Sequence, residues 1–364
     1  MFKRIKISVI VPCRNEGEFI KSCLDSIVAQ DYAKEDLEVL IVDGMSEDGT
    51  RDTVKAYELN NPFIKLLDNV HKTTPYALNL GIKKAVGDFV LWMSAHNEYD
   101  KEYITKCLKY IKEFGADAVG GSIRIMPRNK GFAGKLICMV QSHPFGAGKA
   151  YFKTRLDNCG PMWVDTAFGI CYKKELFNRI GFFNEKLSRG QDMEFNIRLK
   201  KAGIKILLAP EMSSSYYARS DYSNFIKHNF LNGYWVIEPF KYSDIIPISV
   251  RHLVPLISVL SFIILCVLSI FFKTALLSLL ALAVVYLSCS LFFSIKTGIK
   301  EKDPRIFFMM PVMFASFHVS YGLGSLWGLI KNLTCGVFWK NMFKILTNIN
   351  VLQVVSRTTG INKE

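Results

Sequence analysis

Three polar clusters and one isolated carboxylate are the places where this sequence could do chemistry. The clusters are Pro12-Cys13-Arg14-Asn15-Glu16, Asp43-Gly44-Met45-Ser46 and Ser94-Ala95-His96, each at the end of an apolar run. The carboxylate is Asp192. It follows Gly190-Gln191 and opens the stretch 193–202, where Phe195 and Leu199 share one helical stripe before Gly203. At a helix's amino end the dipole favours the ionised carboxylate, which can accept a proton in a transition state. Spacing alone favours a plainer role for Asp192, an N-cap worth about 1 kcal/mol.

The elements that must carry these groups follow from periodicity. Residues 5–11, 39–42, 64–67 and 89–93 read as buried strands, and 16–30 and 75–86 as helices. Ser46 with Glu47 and Asp48 looks like a helix start. Strands alternating with helices predict an α/β unit, a mostly parallel sheet with helices on both faces. Ligands of such sheets bind outside the carboxyl ends of the strands, which is where the three clusters fall. No GxGxxG follows the first strand and no Walker A lysine loop is present, so a nucleotide would be held by polar side chains rather than a glycine cradle.

The chain has 364 residues, half of them apolar, and a net charge of +14. That hydrophobicity excludes a disordered chain, and 24 Gly and 12 Pro exclude a collagen-like one. The charge suits an anionic membrane, a phosphate-rich substrate or a nucleic acid; nucleic acid is set aside, since no aromatic-basic recognition motif accompanies it. Nine cysteines form no CxxC pair, which reads as free thiols in a reducing compartment. The apolar stretch behind Met1-Phe2-Lys3-Arg4 reaches only Val11, too short for a signal peptide, so the front of the chain is expected to stay in the cytoplasm.

Composition changes near residue 250. Residues 253–272, 274–295 and 306–330 contain no Asp, Glu, Lys or Arg, and about 20 apolar residues suffice to cross a bilayer. Lys273 marks a tight hairpin between the first two runs, and the third is expected to span or to be re-entrant. The basic loop with Lys296, Lys300, Lys302 and Arg305 is then cytoplasmic; a third full crossing puts Lys331, Lys340, Lys344 and Arg357 outside, against the positive-inside rule. The expected organisation is a catalytic domain over 1–221, an amphipathic segment over 222–250, a transmembrane region over 251–330 and a basic tail over 331–364. Aromatic residues mixed with Lys227 and His228 suit a headgroup-level helix over 222–240, and equally an ordinary domain-closing helix.

The ordered set of motifs resembles a family. Val9 to Glu16, Val42 to Thr50, Ala77-Leu78-Asn79-Leu80-Gly81, Ala95-His96, Val164-Asp165-Thr166, Gly181 to Glu185 and Gln191 to Leu199 are similar to family 2 glycosyltransferases of the GT-A fold. Together with Tyr321-Gly322-Leu323-Gly324 they resemble the membrane-attached succinoglycan branch of bacterial exopolysaccharide enzymes.

The resemblance implies inverting transfer of a hexose from a nucleotide sugar, UDP-linked, to a lipid-linked (polyprenyl diphosphate) oligosaccharide. It implies a multi-pass protein of the bacterial inner membrane with a cytoplasmic catalytic domain. Asp192 would be the general base, with Gln191 standing where the family has Glu. Pro12, Arg14, Glu16, Asp43 and Ser94 would form the nucleotide-sugar pocket, with Arg14 reading equally as a solvated charge. His96 would be a metal ligand for Mn2+ or Mg2+, although imidazole suits Mg2+ poorly. Two positions depart from the family: Gly44 replaces its usual second acid, and Ser94 replaces the first acid of its metal motif. Those departures leave open a catalytically degenerate scaffold; transfer to polyprenyl phosphate itself is a further alternative. In Leu231-Asn232-Gly233-Tyr234-Trp235 the Gln and Arg of the processive synthases are missing, which argues for one sugar per encounter.

Overall fold

The apolar, β-branched runs do become strands, and their alternation decides which face each residue covers. The structure, a computed structural model, describes residues 5–128, 131–148, 150–154, 159–218, 221–243, 248 and 250–345. The chain divides into two compact units, Met1–Tyr222 and Ser223–Glu364.

The first unit contains the strands β1 (Ile7–Cys13), β2 (Leu37–Asp43), β3 (Ile64–Asp68), β4 (Phe89–Trp92), β5 (Asn97–Tyr99), β6 (Ala118–Pro127), β7 (Met162–Val164), β8 (Phe168–Lys173) and β9 (Ile206–Ala218). Its helices are α1 (Ile20–Val28), α2 (Thr50–Asn60), α3 (Thr74–Lys84), α4 (Tyr103–Phe114), α5 (Phe132–Ser142), α6 (Pro144–Ala147), α7 (Tyr151–Thr154), α8 (Glu175–Ile180) and α9 (Gln191–Lys201). The sheet order is β3-β2-β1-β4-β8-β6-β9-β5, with β7 paired to β9. Strands β3, β2, β1 and β4 are parallel, as the periodicity predicts. Beyond β4 the sheet is mixed while most strands keep one direction: β8 runs antiparallel to both β4 and β6, β6 and β9 are parallel to each other, and β5 and β7 run antiparallel to β9. Side-chain period marks a strand but not its direction.

Alternation along β1 builds two cores. Ile7, Val9 and Val11 face α1 and α4 through Ile20, Cys23, Leu24, Ile27, Ile104 and Cys107. Ile10 faces the other side, with Leu40, Val42, Leu78 and Ile82. That second core takes in Phe177, Phe183, Phe195 and Leu199, with the Phe183 and Phe195 ring centroids 4.6 Å apart. These aromatics fix α9, and with it Asp192, against the sheet. The expected helix start at Ser46 is displaced: α2 begins at Thr50, behind Gly49, and Ser46 is used otherwise.

The second unit contains α10 (Tyr222–Ile237), α11 (Val254–Leu268), α12 (Lys273–Glu301) and α13 (Arg305–Asn332). Three stretches, Arg251–Leu268, Lys273–Glu301 and Arg305–Asn332, are long and apolar enough to cross a membrane. Their large apolar side chains, among them Phe262, Ile264, Leu280, Val284, Phe292 and Phe308, point outward. Pro311 does not interrupt α13, whose 28 residues extend about 42 Å. Hydrogen bonds of 2.9 Å tie Tyr286 to His318 and His252 to Tyr321. Rather than lying free on a surface, α10 packs on α13: Ser325 Oγ donates to the Gly233 carbonyl at 3.0 Å, and a Cβ on Gly233 would sit 1.9 Å from the Tyr321 carbonyl oxygen. Residues 336–345 are helical; the remainder of the expected basic tail, with Arg357, lies outside the described residues.

Candidate active site

The carboxyl ends of β1 and β2 are in register, Cys13 beside Asp43, and the loops that leave them are stitched together. Asn15 N–H donates to Ser46 Oγ at 2.8 Å, Glu47 N–H to Asn15 Oδ1 at 3.0 Å, Glu16 N–H to Thr50 Oγ1 at 2.9 Å and Gly17 N–H to Asp48 Oδ2 at 2.9 Å. Asn15 and Met45 sit at φ of 53° and 58°. A non-glycine residue there costs about 1–3 kcal/mol, so the cross-loop bonds hold a shape the chain would not adopt locally.

Asp43 is the hub of this platform. It is fully buried, its Oδ1 accepting from Ser46 Oγ at 2.5 Å and its Oδ2 from the Ser46 N–H at 3.0 Å and Arg51 Nη1 at 2.7 Å. Arg51 continues to Asp68 at 2.7 Å. Burial by itself would raise the Asp43 pKa, but the bonds from Ser46 and the Arg51 guanidinium outweigh it and hold the carboxyl below its usual range. Both oxygens are therefore committed, and Asp43 shapes the loop 43–51 that a ligand would meet. The aspartate and the serine three residues on form an Asp-x-x-Ser turn, the one local signal for this arrangement; Arg51 and Asp68 carry no comparable sequence cue.

Glu16, Ser94 and His96 come together. His96 Nε2 hydrogen-bonds Ser94 Oγ at 3.1 Å, and His96 Nδ1 lies 3.1 Å from Glu16 Oε1. Two tyrosines that sequence reasoning missed frame the group: the Tyr99 hydroxyl accepts the Ser94 N–H at 2.6 Å, and Tyr216 meets the imidazole edge to face at 5.4 Å. Pro12 is half-buried near the end of β1. Arg14 is exposed, and its stem lies across Gly44, where a Cβ would come within 3.2–3.3 Å of the Arg14 Cβ, Cγ and Cδ atoms.

Asp192 is supplied by a different element. Gly190, at φ of 74°, makes the turn that starts α9, and Asp192 is the second residue of the helix. It keeps solvent-exposed surface. Protein packed around the carboxyl group nonetheless strips enough hydration to push its pKa above the ordinary carboxylate value; the N–H groups of Met193 and of Asp192 itself, and the charge of Lys153, pull the other way without cancelling this. The N–H groups at the helix end do favour the ionised form, and desolvation outweighs them in setting the direction of the shift. A carboxylate displaced in this direction is a better proton acceptor. Beside it, Gln191 Oε1 is buried and has no hydrogen-bond partner among the described residues.

The donor set fits a protein-held metal poorly. Among the described residues no group of three or more His, Cys, Asp or Glu is placed to bind an ion. His96 and Glu16 would offer two ligands, already bonded to each other, and Ser94 an uncharged hydroxyl. An ion here would take most of its shell from a bound diphosphate and water.

Residues 8–181 match the family model described as Glycosyl transferase family 2. A Methanococcus voltae protein, dolichyl N-acetyl-alpha-D-glucosaminyl phosphate 3-beta-D-2,3-diacetamido-2,3-dideoxy-beta-D-glucuronosyltransferase, is 29% identical over 346 residues, 89% of this chain and 97% of that protein. The succinoglycan biosynthesis protein ExoA of Rhizobium meliloti is 25% identical over 62% of this chain and 72% of its own length. Among solved structures, the mannosyltransferase PcManGT from Pyrobaculum calidifontis, in complex with GDP-Man and Mn2+, aligns with a TM-score of 0.56 at 18% identity, over 90% of this chain and 88% of that one. At that identity the likeness is one of fold, and within this fold a divalent ion does occur.

Proposed function

We propose that this chain, a glycosyltransferase carrying a family 2 domain on a GT-A fold, moves a hexose from a nucleotide sugar, UDP-linked, to a lipid-linked saccharide, with inversion at the sugar carbon. The observation that carries the reading is Asp192: a carboxylate at the amino end of α9, open to solvent and pushed towards basicity. In the transfer, Asp192 takes the proton of the acceptor hydroxyl while that oxygen attacks the anomeric carbon. The bond from this carbon to the diphosphate oxygen breaks, and its electron pair leaves with the nucleoside diphosphate. The loops at the ends of β1, β2 and β4 hold the donor, with Asp43 shaping the pocket and Pro12, Arg14, Glu16 and Ser94 lining it. A divalent ion, Mn2+ or Mg2+, would be carried chiefly by the donor's diphosphate, with His96 as its protein contact.

A lipid acceptor is supported by the Methanococcus voltae relative, whose name describes a dolichyl-phosphate-linked sugar as its acceptor, and by the three helices long and apolar enough to cross a bilayer. A polyprenyl-linked substrate is confined to the membrane, so an enzyme anchored there by several spans, with its catalytic unit in the cytoplasm, meets it at the membrane surface. The test is transfer of radiolabelled hexose into organic-extractable lipid by membranes containing the full chain. Label should enter a lipid-linked saccharide, and Asp192→Asn should reduce the rate by about 10²-fold or more. Equal transfer by both proteins would remove Asp192 as the base. Label on bare polyprenyl phosphate would change the acceptor, and no transfer from any nucleotide sugar would mean a binding scaffold.

A further inference from the structure

We infer that Arg14, seated across Gly44, binds the donor's diphosphate and makes donor binding by this chain largely independent of a divalent ion. The inference rests on the proposal that the tips of β1, β2 and β4 hold a nucleotide sugar. Its first support is steric. A Cβ at position 44 would lie 3.2–3.3 Å from three carbons of the Arg14 side chain, closer than such contacts normally allow. Glycine at 44 is what lets the arginine stem lie over the end of β2 instead of swinging away from it.

The second support is electrostatic. Among the described residues Arg14 makes no hydrogen bond or ion pair, whereas three acids of these loops are engaged with other groups. Asp43 is held by Arg51 and Ser46, Glu16 by His96, and Asp48 by Thr50 and the Gly17 N–H. Arg51, the other guanidinium at these loops, is occupied by Asp43 and Asp68. Of the two guanidiniums at these loops, Arg14 is thus the one not already paired to a carboxylate among the described residues, and it is available to an anion. Position 44 carries no side chain and position 94 a neutral hydroxyl, so neither repels a phosphate or offers a charged ligand to an ion. No group of three metal-binding side chains is present among the described residues. A planar guanidinium can engage a phosphate through paired N–H donors, and it supplies the positive charge that a leaving diphosphate needs.

The experiment is isothermal titration of the detergent-solubilised full chain with UDP, GDP and uridine, in EDTA and again with Mn2+. Whichever diphosphate binds should do so in EDTA within about threefold of its affinity in Mn2+. Arg14→Gln should weaken that diphosphate about tenfold or more in EDTA, as expected for a lost charge-assisted bond, and leave uridine unchanged. Gly44→Ala should weaken it in the same direction by crowding the arginine stem. Diphosphate binding that needs Mn2+, or that survives Arg14→Gln undiminished, would overturn the inference while leaving the nucleotide-sugar site standing. Failure of both UDP and GDP to bind, with or without Mn2+, would remove that site and the inference together.

Discussion

Arg51 reaches Asp43 at 2.7 Å, and through this contact a fully buried carboxylate at the end of β2 is held by the first turn of the helix that follows. The pair sets the shape of the loop between them, and so of the candidate donor pocket. Arg51 keeps about a quarter of its surface in water, with side-chain exposure of 24%. Its removal should therefore cost near the low end of the range for breaking a buried pair, about 3 kcal/mol. For Arg51→Met the thermal midpoint of the first unit should fall by about 2–4 °C per kcal/mol. The sign with pH follows from Asp43, whose native pKa is depressed. Its stabilisation is fully present above the unfolded value of about 3.9 and is lost as pH falls through the native value. The gap between wild type and Arg51→Met, read by near-UV circular dichroism, should be constant near neutrality and close in acid. A gap that stays open at acid pH would mean that Arg51 acts by packing alone.

Asp192 predicts a pH–rate profile. Because desolvation raises its pKa, the acid limb of kcat/KM should lie above the ordinary carboxylate value of about 3.9, with the rate falling as pH drops through the raised value and the base is protonated. Lys153 lowers that pKa through its charge, so Lys153→Ala should move the limb to higher pH. A limb that ignores Lys153 would show that some other group titrates.

The parts of the fold that read well from sequence are those written in local period. β1, β2 and α9 announce themselves through Val9-Ile10-Val11, Val39 to Val42, and the Phe195–Leu199 stripe, and their ends place Asp43 and Asp192 correctly on strand tip and helix start. What was not legible depends on distance along the chain. His96 and Glu16 are 80 residues apart and meet only through the parallel pairing of β1 and β4. The segments β5 and β7 have three residues each, too few to show a period. The reversal of β8 leaves no trace in which residues are apolar. Ser46 looked like a helix cap because a short hydroxyl before acids fits either role; its use as a ligand of Asp43 requires the fold of the neighbouring loop.

The seam between α10 and α13 makes a steric prediction. A Cβ on Gly324 would sit 1.9 Å from the Phe230 carbonyl oxygen, whereas one on Gly336 would meet nothing within 4 Å. Gly324→Ala should force the two helices apart at a cost of about 1–3 kcal/mol or more, seen as a lower melting temperature and a changed Trp235 emission. Gly336→Ala is the matched control and should behave as wild type. Equal behaviour of both variants would contradict the close approach.

The continuity of α13 through Pro311 bears on orientation. Three helices long enough to span give an odd number of crossings, so residues before α13 and residues after it should lie on opposite sides of the membrane. With the basic segment 296–305 cytoplasmic, as the sequence leads one to expect, the tail should lie outside in spite of Lys331, Lys340 and Lys344, the hydrophobic length of α13 outweighing a charge bias that acts only near helix ends. Lys302 and Lys340 are both exposed, which makes them suitable reporters. Intact cells expressing Lys302→Cys or Lys340→Cys, treated with a membrane-impermeant maleimide and mapped by mass spectrometry, should show label at 340 and protection at 302. Protection at both positions would mean that one helix re-enters rather than crosses, and α13, which begins beside the basic loop and ends beside a basic tail, is then the helix to turn back.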